Sequence, residues 1–91
     1  MKIGIIGLGD IAQKAYLPII TQLEEVEPYF CTRTESTLQR LGEKYRVDKL
    51  YTSIDQLLKE DLDAAFIHAA TEAHYLLLKK LLKKGIPTFV D

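Results

Sequence analysis

The chain has 91 residues, a net charge of −1, 47% hydrophobic and 27% charged content, the profile of one small globular domain. That near-neutral balance gives no reason to expect nucleic acid or an anionic membrane as a partner, and no apolar run approaches the ~20 residues of a membrane span. A single cysteine, Cys31, cannot form an internal disulfide and fits a reducing compartment. With no basic n-region and cleavage site at the strand-like start, the cytoplasm is the expected location.

Short apolar strands alternate with amphipathic helices. A first strand is expected over about 2–7, then a helix over about 10–24 that Pro18 kinks or divides. A second strand spans about 26–32, around Tyr29, Phe30 and Cys31. Thr34 or Ser36 can cap the next helix, which runs to about Arg46 with Leu38, Leu41 and Tyr45 on one face. A short strand lies near Lys49–Tyr51, and Ser53 caps a brief helix from Ile54 to Lys59. Asp63 to His68 reads as strand four. Thr71 caps a longer helix to about Lys84, carrying Leu76, Leu77, Leu81 and Leu82, with Gly85 as its C-cap. Ile86 to Val90 is strand five.

This β-α alternation predicts an α/β fold, a doubly wound parallel sheet of five strands in the order 3-2-1-4-5 with helices on both faces. No repeat, linker or low-complexity stretch interrupts residues 1–91, so one domain is expected. Strand five is expected to be an open edge, its neighbours' apolar side chains partly uncovered. The chain therefore reads as a piece of a larger protein, or as one that assembles into a homo-oligomer through that edge. Lys79, Lys80, Lys83 and Lys84 cluster at a helix C-terminus, where cations suit the dipole and stay solvated.

The stretch with the most chemistry is Lys2 to Ala12. A strand runs into Gly7-Leu8-Gly9-Asp10-Ile11-Ala12, a G-x-G-x-x-A turn at a helix start. Gly7 permits the tight turn, Gly9 lets backbone approach a pyrophosphate, and Ala12 lets the helix pack on the strand. Free N–H groups and the positive end of the helix then face phosphates. Gly7, Gly9, Asp10 and Ile11 thus form the candidate cradle of a dinucleotide. Asp10 can cap the helix, and since a carboxylate beside a pyrophosphate would repel it, its side chain is expected to turn outward.

Cofactor choice should lie at the end of strand two. An NAD-preferring fold places a carboxylate there for the ribose 2′-hydroxyl. Here the segment is Cys31-Thr32-Arg33-Thr34, with no carboxylate before Glu35. Arg33 can pair with a 2′-phosphate while Thr32 and Thr34 offer hydroxyls, which favours NADP over NAD; an exposed loop arginine or one stacked on adenine is the plainer alternative. No His, Cys, Asp or Glu set has metal spacing. Cys31 reads as buried core. His68 can face the crevice or be a hydrogen-bonded residue at a strand end, and His74, three residues after Thr71, can bond to its own loop.

The Gly7–Ala12 turn, Tyr16-Leu17-Pro18, Thr32-Arg33, Thr71-x-x-His74 and Thr88-Phe89-Val90-Asp91 together resemble the N-terminal Rossmann domain of the Gfo/Idh/MocA oxidoreductases (glucose–fructose oxidoreductase, inositol dehydrogenase and relatives). The resemblance covers the whole chain. Three places depart from the family pattern, one of them His68 at the end of strand four, where the family usually has a small residue. Tyr16 stands where the first helix often has histidine, and Ala69 and Ala70 replace a hydroxyl and a proline in the loop after strand four. The resemblance implies that Ala69, Ala70, Thr71 and His74 border the cofactor, with His74 near its nicotinamide. It implies that Asp91 holds the acidic position of a Glu-Lys-Pro motif whose catalytic lysine would come next. The parent protein would then transfer hydride between NAD(P) and a sugar, polyol or related hydroxyl or carbonyl compound, and a substrate domain would follow residue 91. These 91 residues would hold half a cofactor site and no catalytic residue.

Other classes of protein use some of the same features. A non-catalytic dinucleotide-sensing or regulatory module, or a half-domain made for folding or assembly work, would share the glycine turn. A methyltransferase-like fold would want an acid where Thr32 and Arg33 stand, and a receiver domain would want acids where Gly7 stands.

Overall fold

A computed structural model describes residues 1–8, 17–68 and 71–90, the side chains of residues 71–75 lying outside the description. The elements in chain order are β1 (Lys2–Ile6), α1 (Leu17–Ile20), β2 (Glu27–Cys31), α2 (Glu35–Tyr45), β3 (Leu50–Tyr51), α3 (Ile54–Leu57), β4 (Ala64–Ile67), α4 (Thr71–Lys83) and β5 (Thr88–Val90). The five strands form one sheet in the order β3-β2-β1-β4-β5. Every neighbouring pair is parallel, as the strand–helix alternation predicts.

Side chains alternate across this sheet and build two cores. On one face Ile3, Ile5 and Phe30 pack with Leu17 and Ile20 of α1, Leu38 and Leu41 of α2, and Leu8 and Val47. On the other, Ile6, Tyr29, Cys31, Ala65 and Ile67 pack with Leu57 of α3, Leu81 of α4, and Leu58, Leu62 and Ile86. The helices before β3 thus cover one face and those after it cover the other.

Several boundaries are tighter than the pattern suggests, each for a local reason. β1 stops at Ile6 because Gly7 turns to φ 84°. The helix expected to reach residue 24 ends at Ile20, where Gln22 N–H donates to Ile19 O and Leu23 N–H to Ile20 O, so the chain tightens into turns. Its expected first half, residues 10–16, lies outside the described residues. α2 is capped by the Thr34 backbone without a side-chain hydrogen bond, and Arg46 ends it in the left-handed region, φ 56°. α3 stops at Leu57 because Lys59 and Glu60 N–H groups close tight turns onto Gln56 and Leu57.

Thr71 is the first residue inside α4 rather than a cap before it. Gly85, φ 75°, donates to Leu82 O at 2.9 Å while Ile86 N–H reaches Leu81 O at 3.0 Å, the paired bonds of a glycine helix stop. β5 begins only at Thr88, since Ile86 turns its side chain into the core and Pro87 has no N–H to donate. α4 buries a narrower stripe than expected: Leu81 is fully buried, but Leu76 and Leu82 are 63% and 60% exposed. Two lysines of the cluster brace α4 on the end of α3, Lys80 Nζ lying 3.2 Å from Asp55 Oδ1 and Lys84 Nζ donating to Leu58 O at 2.6 Å.

Candidate dinucleotide-binding site

The register of the sheet decides what meets at its C-terminal edge. Ile6 is level with Cys31 on β2 and with Ile67 on β4. The next residues along, Thr32, Gly7 and His68, therefore form a row over the strand ends. Backbone bonds hold the row: Gly7 N–H donates to Cys31 O at 2.9 Å, His68 N–H to Ile6 O at 2.7 Å, and Thr32 N–H to Tyr51 O at 3.1 Å. The order of the sheet reverses between β1 and β4, and a doubly wound fold binds its ligand in the crevice at that point.

Gly7 leaves β1 with a positive φ that an L side chain would hold only at a cost of roughly 1–2 kcal/mol. Leu8, the residue after this bend, buries its side chain in the core of α1 and α2. Gly9, Asp10 and Ile11 of the expected cradle lie outside the described residues. At the end of β2, Thr32 is half-buried and Arg33 is exposed just before α2, so the guanidinium stands at the rim. The backbone of α4 begins at Thr71 on the same edge and carries His74 in its first turn. Ala69, Ala70, Asp91 and the side chains of Thr71 and His74 lie outside the described residues.

Cys31 sits beneath this row and is 4% exposed; burial pushes its thiol up to about 11. It stays a neutral core side chain at pH 7, as expected. Among the described residues no group of three His, Cys, Asp or Glu side chains could hold a metal ion. No helix of the described residues is long and apolar enough to cross a membrane.

A positive-φ glycine ending β1, a polar rim at β2 and a thirteen-residue helix opening beyond β4 fit a ligand with a diphosphate and two nucleoside arms. Sequence spacing found Gly7, Thr32 and Arg33. It did not find that His68 stands level with Gly7, because the spacing along one strand says nothing of its register with another.

The fold and this edge define a domain of the Rossmann-like, doubly wound class. Residues 1–91 match the family described as oxidoreductases with an NAD-binding Rossmann fold. The chain belongs to the Gfo/Idh/MocA oxidoreductase family. It is 34% identical to the Salmonella typhimurium protein YceM, named as an oxidoreductase, over 100% of this chain and 29% of that one. A Gfo/Idh/MocA oxidoreductase from Vibrio cholerae superposes with a TM-score of 0.96 at 48% identity, covering 100% of this chain and 29% of that one. The dehydrogenase MviM of Clostridium difficile gives 0.87 at 38% identity, over 100% of this chain and 30% of that one. The 3-ketoreductase KijD10 of Actinomadura kijaniata, in complex with TDP-benzene and NADP, shares the fold at a TM-score of 0.85 and 22% identity, with 99% of this chain and 29% of that one covered. The chain thus spans about 29% of the length of relatives it matches.

Proposed function

We propose that these residues are the NADP(H)-preferring nucleotide-binding part of an oxidoreductase that moves hydride to or from a hydroxyl or carbonyl carbon of a sugar, polyol or related compound. The exposed Arg33 at the end of β2, with no carboxylate on the rim before Glu35, carries the NADP preference. A guanidinium meets a 2′-phosphate with charge-assisted, fork-shaped hydrogen bonds, and Thr32 and Thr34 add hydroxyls beside it. In this reading Gly7, Gly9, Asp10 and Ile11 hold the diphosphate, and Ala69, Ala70, Thr71, His74 and Asp91 border the nicotinamide half. The bound dinucleotide supplies the hydride chemistry. This chain's part is to bind and orient it and to keep water from the strand ends. The groups that hold and move substrate protons belong to the remainder of a protein as long as the relatives, so the 91 residues alone are inactive. The near-neutral charge and buried Cys31 agree with a cytoplasmic setting.

Titration with NADPH and NADH tests the preference. Charge-assisted bonds of ~1.5–3 kcal/mol predict that Arg33→Ala weakens NADPH by about tenfold or more and NADH little. Equal losses for both would remove the preference. The absence of any binding to the unaltered chain would remove the function.

A further inference from the structure

His68 lies on the side of Gly7 away from Thr32 and Arg33. Adjacent strands stand ~4.8 Å apart, so the row Thr32–Gly7–His68 spans about the width that a diphosphate and its two flanking riboses must cross. If Arg33 takes the adenosine phosphate and the turn that Gly7 opens takes the diphosphate, the other half of the ligand passes over β4. His68 is the residue that closes that strand, its N–H bonded to Ile6 O at 2.7 Å.

The His68 imidazole is the last of three aromatic rings in a row. It is stacked on Phe66, the rings 5° from parallel with centroids 6.4 Å apart. Phe66 is in turn stacked on Phe89, with centroids 5.2 Å apart and 24° between the planes. Both ring nitrogens are shielded from solvent. Phe66 packs beside the core of α1 and α2, so the three rings run along that face of β4 and β5 and end at the crevice. Aromatic rings order one another by their edge and face charge distribution, and His68 is the member of this file nearest the strand ends.

We infer that His68 is a positioning residue for the nicotinamide half of the bound dinucleotide, its stacked ring setting the height at which that half lies over β4. The inference rests on the nucleotide-binding reading above. It assigns a residue that neither the glycine turn nor the rim of β2 includes. It also predicts a separation: His68 acts on the nicotinamide nucleotide and leaves the adenosine half alone.

The experiment measures NADPH and 2′-phospho-ADP-ribose, which lacks nicotinamide, by calorimetry on the 91-residue chain and on His68→Ala and His68→Phe. A ring-stacking contribution of ordinary size predicts that His68→Ala weakens NADPH by about fivefold while 2′-phospho-ADP-ribose holds within about twofold. His68→Phe, which keeps a flat ring on Phe66, should restore most of the NADPH affinity. Should His68→Ala fail to fold, His68→Gln removes the ring and takes the same two titrations. Equal weakening of both ligands, no weakening of either, or a Phe variant as weak as the Ala variant would overturn the role of the ring. An unaltered chain that binds neither ligand would sink the nucleotide-binding reading itself, whereas binding of both with an unchanged ratio in the variants would sink only this inference.

Discussion

The Tyr51 hydroxyl donates to Glu60 Oε1 at 2.8 Å and so ties the end of β3 to the turn after α3. The Tyr51 ring stacks on Tyr29, the centroids 6.2 Å apart and the planes 12° from parallel. The pair pins the outermost strand, only two residues long, to the body of the sheet. Burial, then the hydrogen bond and negative charge of Glu60, push the Tyr51 hydroxyl up to about 12 from its ordinary 10.0.

That shift predicts an alkaline loss of stability. Below pH 10 both folded and unfolded chains keep the Tyr51 proton and the contribution is complete. Between about 10 and 12 the unfolded chain releases it while the folded chain retains it, so stability falls as pH rises through that window. Urea midpoints measured at intervals from pH 9 to 11.5 should fall less steeply in Tyr51→Phe than in the unaltered chain. Parallel slopes would contradict the assignment.

Cys31 should resist thiol reagents in the folded chain. Its sulfur is nearly out of contact with solvent, and burial pushes its thiol up to about 11, so both access and thiolate are scarce at pH 8. Labelling followed by mass spectrometry should be slow without denaturant and accelerate across the urea transition. Rapid labelling in buffer alone would show the core open at β2.

Two glycine-to-alanine substitutions should differ in mechanism. At Gly85 a new Cβ meets nothing within 4 Å, and the φ of 75° alone makes the substitution unfavourable, by roughly 1–2 kcal/mol. At Gly42, inside α2, alanine would gain about 1 kcal/mol of helix propensity. There, however, its Cβ would stand 2.7 Å from Leu50 Cδ1 and 3.0 Å from the Val47 carbonyl oxygen. Overpacking of this kind costs typically 1–3 kcal/mol, so the net change is expected to be destabilising. Denaturant unfolding should show Gly42→Ala relieved in part by Leu50→Val and Gly85→Ala indifferent to it.

On α4, neighbouring positions should carry very different weight. The Lys80–Asp55 pair is 46% and 74% exposed, where an ion pair is worth about 0–1 kcal/mol, so Asp55→Asn should barely move the urea midpoint. Leu81 is wholly buried, and Leu81→Ala should cost about 2–5 kcal/mol. Comparable losses would mean that the lysines, rather than the apolar stripe, hold this helix.

Much of the architecture was legible because parallel sheets write themselves into a chain as short apolar runs separated by helices. All five strands and the helices at Leu38–Leu41 and Leu81 lie where periodicity places them. Boundaries were less legible, since they depend on single bonds. The i+3 turns after Ile20, the missing N–H of Pro87 and the left-handed Gly7 each shortened an element. The buried stripe of α4 is narrower than its leucine pattern, because Leu76 and Leu82 continue that pattern onto a surface that no described element covers.

The class of fold, the strand order and the glycine bend at Gly7 are written in the order of the residues. These follow from local preference and from the handedness that twisted strands impose on every crossover. That Thr32, Gly7 and His68 share one row, and that Tyr51 reaches Glu60, depends on how the packed segments meet. Register between strands is set by how two side-chain cores close against opposite faces of the sheet. That closure is a property of the whole packed layer, and no single segment carries it.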